Sequence, residues 1–326
     1  MSEHQPLVSL LVPAYNRADL LGECLDSALA QTLSDIEIVV VDGASTDGTW
    51  DVCLRYAASD PRIRIYRDDV NTGPVEGWWR CLELARGTLG TFLWSDDVLM
   101  PQFLATTAPM LADSRMAFAF TAAQIGPQPG TGAVHYAQSV SEMPSAAFIE
   151  GSLLGTRNLP VSPACALFRV ADLRRSFMKE LPTHPPFDLR PTGAGTDVLL
   201  YLITATRYPL VGCVDEPLAF FRAHAGSLTV DGRGGLVARS YGVSKVWFAR
   251  SFAKRGLSAR ILARHWLAEM KSVRRPISPI TASRRAGNVV RPAALVLAAV
   301  TVVAGLSFDR MRRTFGRLTA SRGTAG

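Results

Sequence analysis

The chain has 326 residues, 48% of them hydrophobic, enough apolar side chain for one large core or two modest ones, which excludes a disordered or low-complexity chain. Its five cysteines, at 24, 53, 81, 165 and 213, are odd in number, scattered and free of any C-x-x-C, which excludes a disulfide framework or a zinc site and suits a reduced compartment. The net charge of +7 hides a division: up to Gly232 there are 16 basic and 26 acidic residues, and from Arg233 onward 19 basic and 2 acidic.

Leu7 to Val12 is an apolar run suited to a buried strand, with Pro13 expected to end it. No basic segment leads into an apolar one at the N-terminus, so a secretory leader is not expected. Leu20, Leu21, Cys24, Leu25, Ala28 and Leu29 recur at helical spacing and predict an amphipathic helix over Ala18 to Gln31. Ile36 to Val41 reads as a second buried strand with Asp42 at its end. A helix follows to about Ala58, with Ser45 or Thr46 as its N-cap. Ile63 to Tyr66 is a third strand, and Pro74 to about Ala85 a third helix. The stretch from Thr91 to Pro101 begins as a fourth strand and then delivers Ser95, Asp96 and Asp97. Two adjacent carboxylates there have two readings: a cap on a helix near Pro101, or a hard-cation site clamping a phosphate-bearing substrate.

Strands alternating with helices of this length predict an α/β fold with a mostly parallel sheet flanked by helices. In such sheets ligands bind outside the carboxyl ends of the strands. Four polar clusters fall there: Pro13, Ala14, Tyr15, Asn16 and Arg17; Asp42 to Asp47; Asp68 to Gly73; and Ser95 to Asp97. Ordinary turn residues would be shared between both ends of the sheet, so their gathering on one rim marks it as the site.

The blocks LLVPAYNRADLLGECLDSALAQT, EIVVVDGASTDGT, NTGP and LARGTLGTFLWSDDVLMP, in that order and spacing, resemble those of the family-2 inverting glycosyltransferases, nucleotide-sugar enzymes with the GT-A fold. The resemblance implies that Pro13, Ala14, Tyr15, Arg17 and Asp42 border the nucleotide, with the Asp42 carboxylate accepting from the base. It places Ser45 in the same loop, with Asp47 serving the turn or the helix N-terminus. Asn71 and Gly73 match the family's N-x-G loop, and Asp96 the last Asp of D-x-D, the usual metal ligand; Ser95 and Asp97 flank it on the donor side. Where the family reads D-x-D-D, this chain reads Trp94-Ser95-Asp96-Asp97, and Trp79 stands where an Asn is common. Trp94, closing a buried strand, is expected in the core, and Trp78 and Trp79 are expected to pack, with a place in the sugar pocket left open.

The middle of the chain, about 114–232, is expected to form the acceptor half beside a nucleotide-sugar half at about 1–113. Gln102 to Ala112 reads as a helix and Met116 to Thr121 as a strand. The run after it reads as an exposed excursion, in which His135 and Tyr136 lack partner spacing. Ala164 to Phe168 is a further strand, preceded by NLPVSP, which is expected to border the acceptor. A helix runs over Asp197 to Thr206, and two short strands over Leu210 to Val214 and Pro217 to Phe221. GTDVLLYLITA resembles the family block that opens with the catalytic base, which assigns that role to Asp197, with Asp188 as fallback. VDEPLAFFRAHAGS resembles the block P-L-x-x-Y-R-x-H-x-x-S, which implies Arg222 on the diphosphate and His224 beside Asp96 on a Mg²⁺ or Mn²⁺ ion.

A division near Asp231 to Gly235 separates this domain, 1–232, from a basic helical C-terminal extension, 233–326. Helices are predicted over Leu236 to Lys254 and Ser258 to Val273. Pro292 to Phe308 is an uncharged apolar run between basic flanks, open to three readings: a bilayer-seated hairpin, an interfacial helix or a helix docked on the body. The expected partners are a nucleotide-sugar donor, a glycan or lipid-linked acceptor, and an anionic membrane surface met by the tail, on the inner face of the cytoplasmic membrane. No nucleic-acid motif accompanies the charge. The rival readings are a non-catalytic nucleotide-sugar binding or scaffold protein, and a sugar nucleotidyltransferase, whose Gly-rich activation loop VPAYNRADL does not supply.

Overall fold

In the computed structural model, residues 4–224, 235–252 and 261 are described. One compact unit comprises Met1–Leu181 with Asp188–Ser244, the other Pro182–Phe187 with Lys245–Gly326. The predicted helix at Ser258 to Val273 and the apolar run at 292–308 lie outside the described residues, Ile261 apart. Among the described residues no helix is long and apolar enough to cross a membrane.

The first unit is built on a mixed sheet. Its strands are β1 (Val8–Ala14), β2 (Ile36–Asp42), β3 (Ile63–Arg67), β4 (Leu89–Phe92), β5 (Val98–Leu99), β6 (Met116–Gly126), β7 (Ala133–His135), β8 (Glu142–Pro144) and β9 (Ala166–Arg169). Short strands at Glu180–Leu181 (β10) and Phe187–Asp188 (β11) precede β12 (Leu210–Arg222). The main path runs β3-β2-β1-β4-β9-β6-β12-β5. β1, β2, β3 and β4 are parallel to one another. β9 runs antiparallel to both β4 and β6, so β6 points the same way as β4, and β12 is parallel to β6. The carboxyl ends of β1, β2, β3, β4, β6 and β12 therefore share one edge of the sheet.

Alternation along the strands divides the core between the two faces. Leu10, Val12, Ile38 and Val40 join one cluster with α1 (Leu21–Leu29), α2 (Thr49–Ser59) and α4 (Phe103–Thr107). Leu11, Val39 and Val41 join the other with α3 (Pro74–Leu84), α5 (Ser145–Leu154), α6 (Val170–Ser176) and α7 (Thr196–Ala205). Every residue of β2 is buried, which is why it reads as a continuous apolar run. Each such Val or Ile contributes about 1.5–3 kcal/mol of burial. The last helix, α8 (Leu236–Phe252), covers most of the first predicted tail helix. All five cysteines are buried and unpaired.

Several boundaries differ from expectation. β1 continues through Pro13, because β4 pairs with β1 only as far as Leu11; beyond it β1 is bordered by β2 alone, and the missing N–H interrupts no second ladder. The helix expected over Gln102 to Ala112 breaks into α4 and a 3-10 turn at Pro109–Ala112, since Pro109 cannot donate within a continuous helix. The two strands expected after Leu210 are one strand, β12, irregular in register between Val214 and Pro217, where Asp215 and Glu216 are exposed. β6 extends five residues past its expected end into a hairpin with β7.

Candidate active site

The first two strand ends are stitched together by their own polar side chains. At the exit of β1, Asn16 has φ 51°, a left-handed conformation. Its backbone N–H donates to Ser45 Oγ (2.9 Å), and its Oδ1 accepts from the N–H of Thr46 (2.9 Å). Asp47 Oδ2 accepts from Ala18 N–H (3.1 Å) and its Oδ1 from Thr49 N–H (2.9 Å). Against a desolvation that opposes it, bonding from Thr49 and Ala18 holds the Asp47 carboxyl below its usual range. Neither Ser45 nor Thr46 caps α2; Asp47 serves its first turn instead, because the loop turns Ser45 and Thr46 toward Asn16.

Asp42, at the end of β2, is fully buried; its Oδ1 accepts from Ser45 N–H (3.2 Å). Arg67 Nε lies 3.2 Å from Asp42 Oδ2, but off the hydrogen-bonding line, and that oxygen has no hydrogen-bond partner among the described residues. A buried carboxylate oxygen left this way is the kind of group a ligand N–H completes. Tyr15 is exposed beside it. A Cβ placed on Gly43 would lie 3.6 Å from Ala14 O and 4.0 Å from both Asn71 Oδ1 and Tyr15 Cβ, so the N-x-G loop packs beside this strand end. Asn71 Oδ1 accepts from Gly73 N–H (2.8 Å), holding Gly73 at φ 96° before α3.

The two carboxylates after β4 have separate fates. They do not cap the helix near Pro101: α4 starts at Phe103, and Gln102 makes no side-chain cap. Asp97 is 5% exposed and its Oδ1 accepts from Arg222 N–H (2.8 Å). Burial, and then the neighbouring Asp96 charge, push the Asp97 carboxyl well above the usual range, opposed by the Arg222 N–H and the Arg222 and Arg17 cations. Asp97 is thus bonded to the end of β12, and Ser95 is buried beside it. Asp96 is the carboxylate turned to the rim. Its Oδ2 lies 2.9 Å from His224 Nε2 and 3.4 Å from Arg17 Nε.

Arg222 is engaged by the protein itself. Its guanidinium donates to Asp96 O (3.0 Å), Pro127 O (3.2 Å) and Glu23 Oε2 (2.5 Å), so it braces the end of β12 against β4 and α1. All three guanidinium nitrogens are engaged and the side chain is 10% exposed, which leaves one N–H on each terminal nitrogen.

No group of three or more His, Cys, Asp or Glu converges among the described residues. The pair Asp96 and His224 nevertheless fits a divalent cation of the Mg²⁺ or Mn²⁺ kind: one carboxylate oxygen and one imidazole nitrogen on an open rim, leaving further positions to phosphate oxygens and water.

The family's missing first carboxylate is replaced by packing. Trp94 stacks on Phe92 (5.4 Å between centroids) and lies 4.6 Å from Trp78, and its Nε1 donates to Ser162 Oγ (2.8 Å). Tyr201 OH donates to Ser162 O (2.7 Å), so the NLPVSP segment is pinned under this aromatic cluster. Trp79 packs on Phe177 (5.3 Å).

Asp197 stands in the first turn of α7, 8% exposed. Its Oδ1 accepts from Gly195 N–H (2.9 Å) and Val198 N–H (2.6 Å), and its Oδ2 from the Tyr241 hydroxyl of α8. The loop before it lies over α3: a Cβ on Gly193 would fall 2.2 Å from Trp78 Cη2, and one on Gly73 would be 3.8 Å from Arg190 O. The loop that leads into Asp197 thus reaches Trp78 of α3 and the turn at Gly73 before it. Asp188, the fallback, is exposed and paired with Arg190 (2.8 Å).

Sequence reasoning passed over three participants. Tyr241 lay in the segment assigned to the tail. Tyr136, read as part of an exposed loop, packs against both faces of the core at φ 67°. Glu23 pairs with Arg222 across the whole domain. The one available signal was Glu23's place in the first turn of α1, and it does not name a partner.

Comparison with known proteins places these features in context. The sequence model described as glycosyl transferase family 2 matches residues 9–177. TuaG of Bacillus subtilis, a glycosyltransferase assigned to teichuronic acid biosynthesis, is 34% identical over 131 residues, 40% of this chain and 52% of its own length. The chain thus spans about half the length of this relative. Residues 1–349 of S. aureus TarS in complex with UDP-GlcNAc superpose with a TM-score of 0.61 at 18% identity, covering 81% of this chain and 72% of that one. Glucosyl-3-phosphoglycerate synthase from Mycobacterium tuberculosis, in complex with Mn²⁺, UDP and phosphoglyceric acid, gives 0.50 at 20% identity over 74% and 78%. At these identities the structural likeness is one of fold, and the fold is the GT-A type.

Proposed function

We propose an activity for this chain, which belongs to glycosyl transferase family 2: it moves a sugar from a nucleotide-diphospho-sugar to an acceptor hydroxyl, with inversion at the anomeric carbon. The observation that carries the reading is the pairing of Asp96 with His224 at 2.9 Å, on the rim that also holds the incompletely bonded carboxylate of Asp42. The first is a site for a cation and diphosphate, the second for a nucleotide base.

Asp42 Oδ2 accepts from the base, while Tyr15 and the Asn71 loop flank it. Asp96 and His224 would hold a divalent cation, which when bound neutralises the charge that develops on the departing nucleoside diphosphate. Arg17, 3.4 Å from Asp96, adds a positive charge on the same side. At the other side Asp197 accepts the acceptor's hydroxyl proton as the new C–O bond forms and the bond to the diphosphate breaks. Attack opposite the leaving group inverts the configuration. The complexes of structural neighbours with UDP-GlcNAc and with Mn²⁺ and UDP support a nucleotide-sugar donor and a cation.

The product belongs to cell-surface or lipid-linked polysaccharide assembly. A relative assigned to teichuronic acid biosynthesis supports this class. The surplus of 19 basic over 2 acidic residues beyond Gly232 supports an anionic membrane surface as a docking partner.

Replacing Asp197 by Asn tests the assignment of the base. Transfer is expected to fall by about 10²–10⁴ while the donor binds as before. Near-normal turnover would remove Asp197 from the reaction.

A further inference from the structure

We infer that Tyr241 is a positioning residue for the transfer reaction, holding the plane of the Asp197 carboxylate through its donated O–H; this rests on the reading of Asp197 as base. Asp197 Oδ1 is anchored by two backbone N–H groups, from Gly195 and Val198. Those bonds fix one oxygen and leave rotation about Cβ–Cγ to be set by whatever holds the other. Tyr241 holds it, since its hydroxyl donates to Oδ2. Anchors on both oxygens define the carboxylate plane, and with it the direction in which the base faces an acceptor.

The contact is built into the packing rather than grazing the surface. Gly195 has φ 103°, and a Cβ there would meet Ser244 Oγ at 2.3 Å and Leu189 Cδ2 at 2.9 Å, so α8 is seated where a side chain on residue 195 would stand. Ser240 and Ser244, adjacent to Tyr241 and one turn on, are 1% and 0% exposed. Burial, then the charge of Asp197, push the Tyr241 hydroxyl well above the usual phenol range, so it remains a donor wherever the enzyme is assayed. The sequence match to the family ends at residue 177, and neither member of this pair lies within it. A helix beyond the charge division at Gly232 therefore completes the acceptor side.

The test is Tyr241→Phe in the full chain, which keeps the ring and removes only the hydroxyl. The expected result is a fall in kcat of about ten- to a hundredfold, with donor affinity and acceptor KM unchanged and a melting temperature lowered only by the one lost hydrogen bond. Ser244→Ala is the control on the same helix: its buried hydroxyl has no hydrogen-bond partner among the described residues, and kcat is expected to hold. An unchanged kcat in Tyr241→Phe overturns the inference. So does a fall in acceptor KM with a rise in rate, which would make the hydroxyl an obstruction, or a loss of donor affinity alongside kcat, which would assign Tyr241 to packing. Asp197→Asn run alongside separates the two claims. If it is inactive while Tyr241→Phe matches the parent, only the positioning role fails; if it is active, the base reading falls and this inference with it.

Discussion

Substitution of Asp42 separates nucleotide recognition from folding. The carboxylate is fully buried, accepts from Ser45 N–H at 3.2 Å and has Arg67 Nε 3.2 Å from its second oxygen. In Asp42→Asn the amide oxygen still accepts from Ser45, so the loop keeps its anchor. The second oxygen becomes an NH₂, which opposes donor to donor if a base N–H faces it. A hydrogen bond to a charged group contributes about 1.5–3 kcal/mol, and leaving the base N–H unpaired forfeits at least that. At about 1.4 kcal/mol per decade, the nucleoside diphosphate should bind roughly ten- to a hundredfold more weakly. Arg67 is 44% exposed in its side chain, so water compensates most of its lost ion pair and the melting temperature should change little. Titration calorimetry with a nucleoside diphosphate, beside a thermal melt, reads both quantities. Parent-like affinity in a folded Asp42→Asn protein would refute the placement of the base at this carboxylate.

Two further substitutions probe the site and its frame. Asp96→Ala and His224→Ala should each weaken donor binding about tenfold or more with Mn²⁺ present and alter it little after chelation, as read by calorimetry in both conditions. An equal loss in both conditions would mean that the pair contacts the donor directly. Gly193→Ala should be strongly destabilising, by about 2–4 kcal/mol, because it forces a Cβ into the Trp78 ring at φ 71° and strains the turn before Asp197. Denaturant unfolding measures it, and a change below about 0.5 kcal/mol would show that the loop does not rest on Trp78.

The legible parts of this chain were those whose physics is local. β2 announces itself because both of its faces are buried, and α1 because Leu21, Cys24, Leu25 and Ala28 lie on one buried face. With β1–β4 parallel, the rim followed from topology, and Asp42, Asp96 and His224 were found on it. What escaped depends on separation along the chain or on single atoms. Arg222 and Glu23 are 199 residues apart, and nothing in either segment predicts that their charges meet. The periodicity of α8 marks an amphipathic helix, but not that one of its hydroxyls ends on a carboxylate 44 residues earlier. The adjacent carboxylates looked alike as letters; burial separates them, tying Asp97 to the end of β12 and leaving Asp96 on the rim.

The most direct measurement is a panel of nucleotide sugars offered to the 326-residue chain with and without Mn²⁺, products read by mass spectrometry. The account predicts release of a nucleoside diphosphate from one donor class, dependent on the cation, with the sugar passed to water or to an added lipid-linked or glycan acceptor. Donor binding without turnover across the panel would make the protein a non-catalytic binder, and formation of a nucleotide sugar from a sugar phosphate and a nucleoside triphosphate would make it a nucleotidyltransferase; either result contradicts the account.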